Sequence, residues 1–199
     1  MRTFDMNNQN QDDAVREYFE NGGFVLKGLL DTDILEKVNN DLDSQGSSYK
    51  QLYFDAPWGY GNMGQHDVAN HIRNSPWLDK FSSCILNSEW KFNHVVCNEK
   101  SPFVGYEVEW HQEVYNINTF APGCRPEDAE KYFYQIFVAL DDQDAENGGL
   151  WILSGSNKLG VLDAIDVLSP ALTHKRSVSI EALQRANEMS VLECPTLKA

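Results

Sequence analysis

Positive charge is scarce in this 199-residue chain. Sixteen lysines and arginines stand against 30 aspartates and glutamates, giving a net charge of −14 and a pI near 4.6. That balance argues against nucleic acid and against anionic membrane surfaces, both of which select basic patches. The acidity gives solubility, or suits a salty cytoplasm. Cysteine is sparse too. Cys84, Cys97, Cys124 and Cys194 are scattered without a C-x-x-C pair, the pattern of free thiols in a reducing cytoplasm rather than of a disulfide framework. No apolar run approaches the length of a membrane span. Residues 1–11 read as polar throughout, so no signal peptide is expected and the expected location is cytoplasmic. There is no internal repeat and no low-complexity linker.

What is present is enough for one domain spanning 1–199. Hydrophobic residues make up 42% and aromatics 12%, sufficient for a core and against global disorder. Ala14, Val15, Tyr18 and Phe19 share one side of a helix predicted over 12–21, stopped by Gly22 and Gly23. A short apolar strand over 24–30 follows. Asp33 with Glu36 fits a capping box, opening a helix whose stripe is Ile34, Leu35, Val38 and Leu42. Residues 44–70 read as loop with one short strand. Ser75 and Pro76 suit a cap and first helical position, and Trp77, Leu78, Phe81, Ile85 and Leu86 then give an amphipathic helix ending near Asn87. From Trp90 the period becomes alternating, predicting strands over 91–98, 105–114 and 132–140. An acidic turn from Asp141 to Gly149 leads to a strand over 150–153 that closes a two-stranded unit. A helix over 178–188 and a strand start at Val191 end the pattern. Helices followed by short strands suggest α+β, with helices buttressing a sandwich or barrel.

Trp110-His111-Gln112-Glu113 is the stretch that carries chemistry. On a strand, His111 and Glu113 would project to one side, two thirds of a 2-His-1-carboxylate triad suited to non-haem Fe(II). H-x-E alone is a cheap string. Glu107, Glu109, His111, Glu113 and Tyr115 share one parity: either a solvated sheet face or the wet interior of a cation-binding barrel, with a bulge able to change the parity. His66 and His71 could be ligands, but read as solvated loop histidines.

The order of pieces resembles the phytanoyl-CoA dioxygenase family. Three stretches carry the likeness: Tyr18-Phe19-Glu20-Asn21-Gly22-Gly23-Phe24-Val25 leading to Leu30-Asp31-Thr32-Asp33, then Trp110-His111-Gln112-Glu113, then Val138-Ala139-Leu140-Asp141-Asp142 with Glu146-Asn147-Gly148-Gly149-Leu150 and Ser154-Gly155-Ser156-Asn157-Lys158. The resemblance implies a double-stranded β-helix (jelly-roll, cupin-like) with buttressing N-terminal helices. It implies Fe(II) as metal, 2-oxoglutarate as co-substrate, and O₂ and a small molecule as the other partners, with no nucleic acid or membrane. The reaction implied couples decarboxylation of 2-oxoglutarate, to succinate and CO₂, to hydroxylation of an unactivated C–H. His111 and Glu113 match the first two iron ligands, Glu113 standing where the family usually has aspartate. A carboxylate there favours hydroxylation over halogenation, because halogenating relatives lose it. Asn98 and Lys100 fall where relatives contact 2-oxoglutarate, the Lys100 ammonium being suited to a carboxylate or else an ordinary surface lysine. Cys97 and Phe137 fall where the co-substrate pocket is lined. Asn157 replaces a histidine that is not an iron ligand.

The resemblance also places a third, histidine ligand and a 2-oxoglutarate-clamping arginine beyond Ala199. On this reading the domain lacks its final strands, and the 199 residues alone would bind Fe(II) weakly and make no measurable succinate. His174 and His94 are the substitutes within the chain, read as a surface residue and a strand residue. Two other functions compete. One is a non-catalytic, truncated jelly-roll binding module or gene fragment, with an open sheet edge. The other is an acid/base hydrolase using Glu107, Glu109 and Glu113, which would survive EDTA.

Overall fold

Local chemistry sets the first helix. Asn10 accepts the Asp12 amide at the start of α1 (Gln11–Asn21), and Gly22, at φ 84°, donates its amide to the Tyr18 carbonyl at the end. A computed structural model describes residues 1–7, 10–45, 51–52, 58–62, 67–86, 89–90, 96–100, 108–116, 123–167 and 176–198. Ahead of α1, β1 (Thr3–Asp5) pairs in parallel with β2 (Val25–Lys27). The opening residues are therefore not simply polar: Phe4 is buried, with its ring edge-on to Phe24.

Helix α2 (Thr32–Gln45) starts from Asp31, whose carbonyl accepts the Ile34 and Leu35 amides. Asp33 lies inside the helix, so the expected Asp33–Glu36 box does not open it. Val38 is fully buried against Leu29, Ile72 and Leu78, with Ile34, Trp77, Val138 and Leu140 packed around them. The stretch read as loop holds more order than expected: β3 (Gln51–Leu52), β4 (Trp58–Asn62) and α3 (Asp67–Arg73). Seven residues are too few for a 3.6 period to declare itself, although Ala69 and Ile72 are buried. Ser75 caps α4 (Pro76–Ile85) by accepting the Leu78 amide, and Pro76 stands in the first turn. Leu78, Phe81, Ser82 and Ile85 are its buried face.

The strands depart most from expectation. β5 (Val96–Lys100) pairs antiparallel with β4, and β4 with β3. Residues 108–112 form no strand, and Glu113–Asn116 is a 3₁₀ turn. Residues 132–140, although β-prone, enter no ladder. Their groups are used elsewhere: Val138 and Leu140 pack on the α2–α4 core, and the Leu140 carbonyl accepts the Asn39 side-chain amide. β6 (Ile152–Ser154) therefore pairs with β9 (Val191–Glu193) and not with 132–140. β7 (Ala164–Asp166) and β8 (Arg176–Val178), too short for an alternation to register, form a hairpin-like pair ahead of α5 (Ile180–Met189), which Ser179 caps. The described architecture is mixed helix and strand with four small sheets; these sheets do not themselves make a jelly roll. No helix among the described residues is long and apolar enough to cross a membrane.

One buried pair makes an alkaline prediction. The Ser82 hydroxyl donates to the Leu78 carbonyl, so Tyr134, 2.7 Å away, donates to Ser82. Burial pushes the Tyr134 phenol above its ordinary 10, while the Ser82 hydroxyl, able to turn its proton towards a phenolate, works against this. A phenol held protonated in the fold contributes stability that is complete below about pH 10, the unfolded value, and is lost as pH rises through the folded one. Urea midpoints should fall as pH rises past about 10, and fall less in Tyr134→Phe.

Candidate metal centre

Among the described residues, the segment 110–115 is held through Trp110, Gln112 and Tyr115 rather than by a ladder of its own. The Val178 amide of β8 donates to the Trp110 carbonyl (2.7 Å). The Gln112 side chain donates through Nε2 to the Gly160 carbonyl (3.0 Å) and accepts the Leu162 amide at Oε1 (2.8 Å). The Tyr115 hydroxyl donates to the Leu162 carbonyl (3.0 Å), and the Arg176 guanidinium lies over the Tyr115 ring. Between these anchors His111 and Glu113 converge, with Nε2 and Oε1 3.4 Å apart. The imidazole Nδ1 is 2.7 Å from the Glu109 carbonyl, to which it donates.

Two donors bound at right angles to one cation, at about 2.1 Å each, stand on the order of 3 Å apart. The observed separation is close to that. The Glu109 carbonyl fixes the proton on Nδ1 and leaves Nε2 facing the carboxylate, as outer partners do for metal-binding histidines. The chemistry of the pair thus fits a divalent cation, contributing two donors. Among the described residues no third histidine, cysteine, aspartate or glutamate completes a group of three. His66, His94 and His174 lie outside the described residues.

Burial lowers the His111 pKa, but the hydrogen bond to Glu113, the Glu109 carbonyl and the Glu113 charge together outweigh it, and the net shift is upward from 6.5. Without metal, the charged pair adds stability that is full below pH 6.5 and fades as pH rises through the raised value. Proton and cation compete for the same nitrogen.

The strand alternation that would put the carboxylates on one face is absent from 108–116. Glu109 is exposed and Glu113 and Tyr115 stand on a 3₁₀ turn, while Glu107 lies outside the described residues. His71 is not a solvated loop residue: it sits on α3 with Nε2 2.7 Å from the Leu29 carbonyl. Cys97, Asn98 and Lys100 fall on β5, in register with Gly61, Tyr60 and Trp58; their side chains lie outside the description. Phe137 is 51% exposed.

Comparison with known families decides the assignment. The phytanoyl-CoA dioxygenase (PhyH) family matches residues 18–189. The chain belongs to the phytanoyl-CoA dioxygenase family. No curated protein and no solved structure matches it. The family comprises Fe(II)- and 2-oxoglutarate-dependent oxygenases on a cupin-like fold, and the match spans both stretches that position the pair, 110–115 and 160–162. It also spans Asn157, where the family often has histidine. Here Asn157 donates to the Phe19 carbonyl (2.9 Å), and the Gly155 amide donates to the Asn21 carbonyl (2.9 Å), so this turn of the phytanoyl-CoA dioxygenase sequence closes the end of α1.

Proposed function

We propose that the protein is an Fe(II)- and 2-oxoglutarate-dependent dioxygenase that hydroxylates an unactivated C–H of a small molecule. The observation that carries this is the convergence of His111 Nε2 and Glu113 Oε1 in a chain of this family. His111 and Glu113 would hold the metal. Bound Fe(II) supplies the activation of O₂ that couples loss of CO₂ from 2-oxoglutarate to hydroxylation.

The chain's own residues do the positioning. The Glu109 carbonyl keeps the Nδ1 proton in place and turns Nε2 outward. Glu113 contributes a negative charge that offsets part of the cation's, the reason a carboxylate suits this place. Lys100 would pair with a 2-oxoglutarate carboxylate, with Asn98, Cys97 and Phe137 beside it; this rests on the family order of the sequence. A jelly-roll enclosure of the site belongs to the same proposal.

The test is formation of succinate from 2-oxoglutarate under air by a protein carrying this domain with a complete set of iron ligands; the 199 residues alone are expected to bind Fe(II) weakly and to make none. Succinate should require added Fe(II) and cease with EDTA. Turnover that survives EDTA would overturn the reading in favour of acid/base chemistry. Binding of metal and 2-oxoglutarate without succinate would favour a non-catalytic module.

A further inference from the structure

We propose that Gln112 is a positioning residue, its side-chain amide taking the place of a strand neighbour in fixing His111 and Glu113 for metal. This rests on the iron-site reading above. The two ligands flank Gln112 directly, so whatever fixes residue 112 fixes the backbone that presents both. In a sheet, neighbouring peptides would do that work through paired N–H and C=O groups. Here 108–112 is not in a strand, and the pairing is made by a side chain instead.

The geometry is that of a peptide. Gln112 Nε2 meets the Gly160 carbonyl at 3.0 Å and Oε1 meets the Leu162 amide at 2.8 Å, a donor and an acceptor on backbone groups two residues apart. Only one orientation of the amide satisfies both, since the flipped one sets N–H against N–H and oxygen against oxygen. Gly160, at φ 70° and ψ −151°, has a backbone shape that a side chain would strain, and this shape directs its carbonyl to Gln112. Tyr115 adds a second hold on Leu162. The far side is also tied down. The Asp163 carbonyl accepts the Ser179 amide (2.8 Å) and its carboxylate meets Arg185 (3.3 Å), both from the region of α5. Gln112 therefore fastens the ligand segment to a backbone that α5 secures.

No other common side chain does this. Leucine keeps the bulk and loses both bonds. Glutamate accepts from Leu162 but sets a negative charge against the Gly160 carbonyl. Asparagine is a methylene short of spanning the two.

The experiment titrates Co(II), as a spectroscopic stand-in for Fe(II), into the full chain and its variants and reads both dissociation constant and visible spectrum. Outer partners of metal ligands are typically worth about 10–100-fold in affinity. Q112L should raise the Co(II) Kd at least about tenfold and change the band pattern that reports ligand geometry, with Q112E in between. N39A, which removes the remote Asn39–Leu140 hydrogen bond (3.1 Å), should lower the melting temperature comparably and leave Kd and spectrum unchanged. If Q112L binds within twofold of the parent with the same spectrum, while H111A does not bind, the positioning role is wrong and the metal site stands. If N39A weakens Co(II) as much as Q112L does, the effect is general destabilisation and the role is again wrong. If H111A still binds normally, the site and the positioning role fall together.

Discussion

Replacing His111 with alanine should abolish metal-dependent turnover and weaken Co(II) binding by more than the roughly 10–100-fold that an outer partner is worth. The imidazole is one of two donors that the described structure brings together, and Nε2 is the atom that would be lost. The fold should survive. The imidazole hydrogen-bonds the Glu109 carbonyl and meets Glu113, with both side chains partly solvated; bonds of this kind are worth about 1 kcal/mol each. Circular dichroism and thermal melting should therefore show a folded chain that no longer takes up metal. Retained affinity in that folded variant would place the metal elsewhere. Glu113→Gln, which preserves shape and removes charge, should fall in the same direction by a smaller factor.

The helices were legible because their signals are local. Gly22 past α1, Ser75 and Pro76 at the start of α4, and the apolar stripe of α2 act within a few residues of where they stand. The strands were not, since a strand exists only where a distant segment pairs with it. Residues 132–140 have the composition of a central strand, yet Val138 and Leu140 serve the helical core. Nothing local tells Ile152–Ser154 that its partner is Val191–Glu193.

The site divides along the same line. His111 and Glu113 could be read from a short string and its order among other motifs, and they do meet. They meet not through alternation along a strand but through a 3₁₀ turn and side-chain anchors. A glutamine between two polar residues, as Gln112 is, carries no local signal of its role. Its partners, Gly160 and Leu162, lie some 50 positions on. Likewise the partner of His71, the Leu29 carbonyl, could not be inferred from a histidine read as loop.

The largest loss of stability should come from Phe81→Ala. Phe81 is 2% exposed, stacked on Trp77 and edge-on to Tyr18, Phe24 and Tyr134. Those rings come from α1, the residue before β2, α4 and the segment 132–140, so one side chain joins pieces that share no ladder. Truncating a buried phenylalanine costs about 3–5 kcal/mol, and each aromatic pair adds about 0.5–1.5 kcal/mol beyond its buried area. A loss of at least about 4 kcal/mol is expected in urea unfolding, a large part of the ~5–15 kcal/mol a domain commands. If that variant cannot be recovered folded, Phe81→Leu, which refills most of the space but offers no ring, should still lose more than Phe19→Ala, whose ring is 45% exposed. Equal midpoints for Phe81→Leu and Phe19→Ala would show that the aromatic cluster does not hold these segments together. Because none of the rings against Phe81 touches His111, Gln112 or Glu113, and that stretch is fastened to β8 and residues 160–162, the folded fraction of Phe81→Leu should bind Co(II) with the parent's affinity. Stability and metal binding would then be separable in this chain, with Phe81 governing the first and His111 the second.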